Sequence, residues 1–361
     1  MAILNRYNRI ERLLHHLAFD YPFIQNILCE LETDLFSASL KAKTVTKPVF
    51  VTGLPRAGTT LLLETIYNTG EFATFTYRQM PFILTPLLWN RISSRFQRLG
   101  NKLERAHGDG VQISFDSPEA FEEVIWLGSL KDKIVGKNTL HPVLPTDLTE
   151  EFRKSFRHII KKLLVLHDTT HQAEHCRYLS KNNANVSRLK AITSIFPDAI
   201  ILVPFRHPLT HVKSLMNQHQ RFSAEHSVDA FAQKYMEWIG HYEFGANIRP
   251  IDFDGRITQT SQFNFDDPNF WLAYWSKAYR HCLEEASENM IFIDFDYLLQ
   301  KGEHVLRKIG KTIEISNMEK LTEHASTFRN PKSSSIEIGD LVPEVWKEAQ
   351  MVHEQLCQRR L

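Results

Sequence analysis

The stretch that decides the fold is VFVTGLPRAGTTL, residues 49–61. Its first residues are apolar and mostly β-branched, as is typical of a short buried strand, and the run stops at Gly53. The leucine-rich stretch Thr59–Tyr67 predicts a helix. A loop closed by Gly53 and Gly58 between a strand and a helix directs backbone N–H groups and the helix dipole to one point. The sequence therefore predicts a phosphate-binding loop.

The loop departs from the common nucleotide-binding pattern at one position. Its glycine spacing matches G-x-x-x-x-G-K-[ST], but Thr59 stands where that pattern has its lysine. Nucleotide kinases and hydrolases use this lysine on the terminal phosphates and hold Mg²⁺ with the next hydroxyl. Its absence argues against a P-loop kinase, which remains an alternative. Arg56, Thr59 and Thr60 instead offer donors for a phosphate ester that carries a sulfonate and needs no metal.

Two more runs have the continuous apolar character of strands buried on both faces, residues 199–203 and 290–293, and residues 176–180 are a further candidate strand. Helical patterns flank them, as βαβ units require. We expect an α/β fold with a P-loop-like parallel sheet flanked by helices. The whole chain, 1–361, is predicted to form one domain, with an N-terminal helical segment at 1–45 and a largely helical insertion at 72–168.

Two cationic positions strengthen the prediction of an anion site. Arg206 follows the run 199–203, and Ser214 lies eight residues later on the next predicted helix, so that guanidinium and hydroxyl can bind one phosphate. Lys181 follows the run 176–180 directly. Such residues are often merely solvated when they occur alone. Their combination with the glycine loop favours a site.

These motifs resemble those of sulfotransferases that use 3′-phosphoadenosine-5′-phosphosulfate (PAPS). The loop is similar to the Pro-Arg-Ser-Gly-Thr-Thr form of the bacterial and tyrosylprotein-type branch, with Ala57 in place of the serine. The resemblance implies a sulfotransferase with PAPS as co-substrate, 3′-phosphoadenosine-5′-phosphate (PAP) as product and no metal.

The resemblance also implies roles for individual residues. Lys181, together with Arg56, would stabilise charge on the leaving phosphate. Arg206 and Ser214 would bind the 3′-phosphate. The loop residues that would bind the 5′-phosphosulfate are Pro55, Arg56, Ala57, Gly58, Thr59 and Thr60. Arg329 and Lys332, in a C-terminal loop, would add anion contacts.

The general base is less clearly marked. The tyrosylprotein branch has a glutamate where residues 75–82 contain no carboxylate, and Asn183 stands where cytosolic members have a histidine. Two candidates remain, and we rank them equally. Glu122 lies near the apolar edge of a predicted helix, where burial can raise a carboxylate pKa. His107 lies in a predicted loop freed by Gly108 and Gly110, next to an acid, and histidine titrates near neutral pH.

The acceptor-side insertion contains the apolar stretch 80–89, MPFILTPLLW, which favours a small hydrophobic alcohol such as a sterol or lipid. A second group of aromatic residues suits sugar rings equally well, so that a carbohydrate or tyrosyl acceptor remains open. Its members are Trp238, Tyr242, Phe244, Phe263, Phe265, Phe270 and Trp271. A non-catalytic PAP-binding protein is a further alternative, which Lys181 disfavours.

Composition sets the remaining limits. The 361 residues have a formal net charge of +1, which gives no reason to expect a nucleic-acid partner, so any anion site must be local. The four cysteines form no C-x-x-C pair, which argues against a zinc or redox motif and suits a reducing compartment. No apolar stretch predicts a signal peptide or a membrane span. We therefore predict a cytoplasmic protein.

Overall fold

A five-stranded parallel sheet forms the centre of the protein, in the order β2-β5-β1-β6-β7. The structure, a computed structural model, describes residues 7–93, 103–104, 112–113, 115–171, 176–255, 264–328 and 335–361. The strands of the sheet are β1 Val49–Val51, β2 Phe72–Ala73, β5 Arg177–Lys181, β6 Ile200–Phe205 and β7 Met290–Asp294. A separate hairpin pairs β3 Leu103–Glu104 with β4 Gln112–Ile113. The predicted α/β class is confirmed.

The inner strands are buried on both faces, which explains their continuous apolar sequence. Every residue of β1 and β6 is buried, and only the first residue of β5 is partly exposed. The four predicted strands lie within two residues of the observed bounds. Strand β2 was not predicted, because two residues are too few to show any periodicity.

Helices cover both faces of the sheet and form the regions before and after it. The first group contains α1 Arg9–Asp20, α2 Pro22–Leu35, α3 Ser37–Lys41, α4 Thr59–Tyr67, α5 Pro86–Ser93, α6 Glu123–Ile134, α7 Glu150–His171 and α8 Leu189–Ile195. The second contains α9 Pro208–Val228, α10 Ala230–Trp238, α11 Pro268–Glu284, α12 Phe295–Gln300, α13 Gly302–Thr312, α14 Met318–Glu323 and α15 Pro343–Arg359. None of the helices in the described ranges is long and apolar enough to cross a membrane.

A buried ion pair attaches the N-terminal helices to the rest of the protein. The Lys162 ammonium of α7 lies 3.2 Å from the Glu32 carboxylate of α2, and both side chains are fully buried. Lys162 also donates to the Cys29 carbonyl at 2.8 Å. A buried pair with such additional partners fixes the position of one helix on another, since breaking it would leave an uncompensated charge.

Four strand ends meet at one edge of the sheet. The carboxyl ends of β1, β5, β6 and β7 are adjacent because all their pairings are parallel. The loop 52–58 follows β1, Lys181 ends β5, Arg206 follows β6 and Asp296 lies just beyond β7. Ligands of parallel α/β sheets bind at this edge. The topology therefore brings the segments predicted from sequence to one place.

Candidate functional site

The phosphate loop needs glycine at position 58 for two reasons. Gly58 has a φ of 90°, and a Cβ built there would lie 2.1 Å from the Phe295 ring. Arg56 also has a positive φ, 71°. Helix α4 begins at Thr59, directly after this turn, and the amides of a first helical turn have no intrahelical acceptor. The loop thus packs tightly on α12 and places a helix N-terminus at the sheet edge.

His211 of α9 contacts the phosphate loop at Pro55. The Trp275 indole donates to His211 Nδ1 at 3.0 Å, and His211 Nε2 lies 2.8 Å from the Pro55 carbonyl oxygen. Because an indole N–H can only donate, Nδ1 accepts, and Nε2 must carry the proton that it donates to Pro55. Burial lowers the pKa of His211 to about 3. The imidazole is therefore neutral. The sequence analysis assigned it no role.

The two predicted phosphate anchors are in direct contact. Arg56 Nε donates to Ser214 Oγ at 3.4 Å, and Arg206 Nη1 donates to the Arg56 carbonyl oxygen at 3.4 Å. Both distances exceed the usual range of an N–H···O bond, so these contacts are weak. An anion that offered shorter, charge-assisted bonds would compete well for the same N–H groups.

One carboxylate balances part of this positive charge. Asp296 Oδ1 lies 3.4 Å from Arg206 Nε, and Asp296 Oδ2 accepts from the His207 backbone N–H at 2.9 Å. Asp296 thus contacts both the Arg206 guanidinium and the backbone that follows it. Arg56, Arg206 and Lys181 lie at the same edge of the sheet although the whole chain is nearly neutral. Sequence reasoning missed Asp296, whose only signal was its place just after a strand.

Lys181 lies beside the start of the phosphate loop. It is the last residue of β5 and pairs in register with Val51 of β1. The next residue, Asn182, donates its backbone N–H to the Val51 carbonyl at 3.1 Å. Lys181 is 7% exposed. The adjacent strands therefore bring a largely buried ammonium and the anion loop to the same edge.

A buried acid holds the segment that follows Lys181. The Glu123 carboxylate accepts two bonds from Arg188, at 2.9 and 3.0 Å, and one from Asn182 Nδ2 at 2.7 Å. Burial raises the pKa of Glu123, while the Arg188 charge opposes that rise. This bidentate pair fixes the turn after β5.

Glu122, one of the two predicted bases, lies in a neighbouring buried network. It accepts from Tyr178 Oη at 2.9 Å, Trp126 Nε1 at 3.1 Å and Asn185 Nδ2 at 2.8 Å. Its side chain is 1% exposed. A carboxylate with three internal donors and almost no exposure is poorly placed to receive a proton from a bound alcohol. The geometry therefore favours a structural role for Glu122. His107, Arg329 and Lys332 lie outside the described residues, as does Phe263 of the predicted aromatic group.

An aromatic pocket opens beside the phosphate loop. It is narrow, with a cavity volume of about 30 Å³. Asn183, Glu243 and Arg249 are its polar and charged side chains, apart from tyrosine hydroxyls. The residues that line it are Leu54, Pro55, Leu140, Asn183, Ala184, Leu215, Gly240, Tyr242, Glu243, Phe244, Ile248, Arg249, Pro250, Ile251, Phe270, Trp271 and Tyr274.

The two groups of apolar residues named for the acceptor lie in different parts of the structure. Within the stretch 80–89, Met80 and Trp89 are buried, and the Trp89 indole donates to the Met80 carbonyl at 2.9 Å. This stretch forms core and does not line the pocket. Part of the second aromatic group does line it: Tyr242, Phe244, Phe270 and Trp271. Sequence reasoning missed Glu243, an isolated acid in a loop with no motif around it.

The fold is that of a P-loop-like α/β protein in which a glycine-bounded loop, two arginines and a lysine lie at the carboxyl edge of a parallel sheet. Comparison with family models gives a match to the Sulfotransferase family over residues 48–259, more than half of the chain. The chain belongs to the sulfotransferase family. The predicted family and its enzyme class are thereby confirmed.

Individual relatives are distant. The structure of sulfotransferase STF9 from Mycobacterium avium is 12% identical, with a TM-score of 0.50 over 91% of this chain and 81% of that one, which shows a shared fold. Sulfotransferase STF1 from Mycobacterium tuberculosis H37Rv is 14% identical, with a TM-score of 0.48 over 93% and 83%. An uncharacterized protein of Aquifex aeolicus (strain VF5) is 22% identical over 291 residues. That match covers 80% of this chain but spans only 28% of the relative's length.

Proposed function

We propose that this protein transfers the sulfonate group of PAPS to the hydroxyl of a small hydrophobic alcohol and releases PAP. The observation that carries the proposal is the contact between the two anchors, in which Arg206 Nη1 donates to the Arg56 carbonyl at 3.4 Å. One bisphosphorylated adenosine has anionic groups at both ends of its ribose. Adjoining anchors on one sheet edge suit such a molecule.

The donor set fits PAPS chemically. Loop residues 55–60 and the first turn of α4 supply backbone amides, hydroxyls and the Arg56 guanidinium for the 5′-phosphosulfate. Arg206 and Ser214 supply a guanidinium and a hydroxyl for the 3′-phosphate. The guanidinium groups of Arg56 and Arg206, together at one edge of the sheet, match an anionic ligand.

Lys181 is assigned to the leaving group. When sulfonate is transferred, the S–O bond to the 5′-phosphate breaks and negative charge develops on that phosphate oxygen. A fixed ammonium with little access to water stabilises developing charge better than a solvated one. Lys181 meets both conditions, since it ends a central strand and is 7% exposed.

The pocket supports a hydrophobic acceptor over a sugar. A sugar carries several hydroxyl groups, and each one needs a polar partner when it is buried. The walls offer mainly aromatic and aliphatic surface. The cavity volume of about 30 Å³ is room for only one or two water molecules, so the side chains must move apart to admit any acceptor. A phenol or slender alcohol requires less widening than a sterol.

Calorimetry with PAP tests the donor assignment. We expect wild-type protein to bind PAP without metal, and Arg206→Ala to bind it about 10- to 100-fold more weakly, the loss expected for charge-assisted bonds. Arg307→Ala, which removes an exposed cation paired with Glu303 on α13, is the matched control and should bind normally. Absence of PAP binding, or Mg²⁺-dependent binding of ATP instead, would contradict the proposal.

An assay with labelled PAPS tests the acceptor. Phenols and slender aliphatic alcohols should be sulfonated more rapidly than sterols, monosaccharides or tyrosyl peptides. Preference for a sugar or a peptide would overturn the acceptor class and leave the donor assignment intact. Binding of PAP without transfer to any of these acceptors would support a non-catalytic binding protein.

A further inference from the structure

Glu243 is the one carboxylate among the described residues that line the aromatic pocket. It lies in the loop after α10, between Tyr242 and Phe244, whose side chains are both buried. These two neighbours anchor the backbone on either side of the acid. Glu243 itself is only partly buried, so its carboxylate is both held in place and accessible.

Asn183 connects this carboxylate to the phosphate loop. Asn183 Nδ2 donates to Glu243 Oε1 at 3.2 Å, and Asn183 Oδ1 accepts from Thr59 Oγ1 at 3.3 Å. The Thr52 hydroxyl donates to the backbone carbonyl oxygen of Asn183 at 3.4 Å. Glu243 is therefore only two hydrogen bonds away from the first residue of α4, where an anion would bind.

The direction of this bridge is fixed by chemistry. A carboxylate can only accept, so the amide NH₂ of Asn183 faces Glu243 and its oxygen faces the Thr59 hydroxyl. The bridge engages one carboxylate oxygen, Oε1. The other oxygen, Oε2, remains for a ligand in the pocket.

We propose that Glu243 is the general base of the transfer and that the aromatic pocket is the acceptor site. The proposal rests on the proposed function. The acceptor hydroxyl gives its proton to Glu243 as its oxygen forms a bond to sulfur. The bond between sulfur and the 5′-phosphate oxygen breaks, and its electron pair stays on PAP beside Lys181.

The residues that line the pocket also indicate the class of acceptor that Glu243 would deprotonate. Tyr242, Phe244 and Trp271 supply flat apolar walls, and Arg249 lies over the Tyr242 ring at 4.9 Å instead of pointing at an open charge site. A neutral hydroxyl on a planar or slender apolar body matches the chemistry of these walls, which must move apart to admit it. Such a hydroxyl is a weak nucleophile at neutral pH and needs a base.

Hydrolysis of PAPS tests the base without knowledge of the natural acceptor, because water then takes the acceptor's place. We expect Glu243→Gln to release PAP about 100-fold more slowly than wild type, within the range usual for loss of a general base. PAP affinity should change less than about threefold. Glu237→Gln, which changes an acid paired with Lys234 near the same loop, is the matched control and should behave as wild type.

A comparison of acceptors separates proton removal from a structural effect. Glu243→Gln should lose most activity with benzyl alcohol and little with 4-nitrophenol at a pH where this phenol is ionised. Equal losses with both, or wild-type PAPS hydrolysis by Glu243→Gln, would overturn the inference. Failure of the wild-type protein to bind PAP would instead contradict the proposed function itself, so the two failures are distinguishable.

Discussion

His211 Nε2 lies 2.8 Å from the carbonyl oxygen of Pro55, and this contact connects helix α9 to the middle of the phosphate loop. The same helix carries Ser214, which accepts from Arg56. A neutral, fully buried imidazole therefore fixes the distance between the loop and the second anchor. Its protonation would replace a matched donor and acceptor pair by two donors, one of them facing the Trp275 N–H.

Acidification should destabilise the protein through this histidine. The pKa of His211 is about 3 in the folded protein and 6.5 in an unfolded chain. Between these values only the unfolded state binds the proton, so the contribution to stability is complete above about pH 6.5 and declines as the pH falls towards 3. At pH 5 the loss amounts to about 2 kcal/mol. Urea unfolding at pH 8 and pH 5 measures it.

His211→Phe supplies the comparison. The variant should be less stable than wild type at pH 8, because it loses both hydrogen bonds, and the difference should shrink at pH 5. Other buried histidines, such as His15 with a pKa lowered to about 4, contribute equally to both proteins and cancel. A stability difference that is independent of pH would contradict a neutral His211.

The glycines of the loop give a second prediction. Gly58→Ala should lower the free energy of unfolding by at least about 2 kcal/mol, because the backbone has a φ of 90° and the new methyl would meet the Phe295 ring. Gly128→Ala is the contrasting control. Gly128 lies inside α6 with nothing within 4 Å of an added Cβ, so alanine should stabilise the protein by about 0.5–1 kcal/mol. Thermal unfolding of both variants measures whether each substitution lowers or raises the stability.

Local sequence patterns predicted the loop after β1 and four of the strands. They could not predict contacts between residues that are far apart in the sequence. The residues of the run 49–58 themselves indicate its structure, because a β-branched strand is followed by a loop with two glycines. Arg206 and Lys181 were recognisable because each follows a buried strand, and parallel pairing brings strand ends together. Glu243 had no such marker, because its significance comes from Asn183, which lies on another element.

Glu122 illustrates a second limit of prediction from sequence. Helical periodicity placed Glu122 near the apolar edge of a helix, but α6 begins only at Glu123 and Glu122 lies directly before it. Periodicity also describes one element only. The residues that enclose Glu122, which are Tyr178, Trp126 and Asn185, include two from outside this helix. Whether a carboxylate at such an edge is exposed or enclosed is decided by this tertiary packing.

Lys181 should affect turnover more than binding. We expect Lys181→Ala to lower kcat about 100-fold or more, since the charge on the leaving phosphate would lose its fixed cation, while PAP affinity falls by less than about tenfold. Single-turnover transfer and PAP calorimetry measure the two effects. Lys213→Ala, a partly exposed cation on α9, is the matched control. A larger effect on affinity than on kcat would assign Lys181 to ground-state binding.

We predict that Glu122→Gln lowers the stability of the protein, whereas Glu243→Gln lowers its turnover. In Glu122→Gln, the new NH₂ replaces either Oε2, which accepts from Tyr178, or Oε1, which accepts from Trp126 and Asn185, and the bonds that remain lose their charge assistance. The free energy of unfolding should fall by about 1–3 kcal/mol. The kcat per folded molecule should change less than about threefold. Denaturant titration and active-site counting with PAP separate the two quantities. If Glu122→Gln instead keeps wild-type stability and PAP affinity but loses turnover, Glu122 is the base after all.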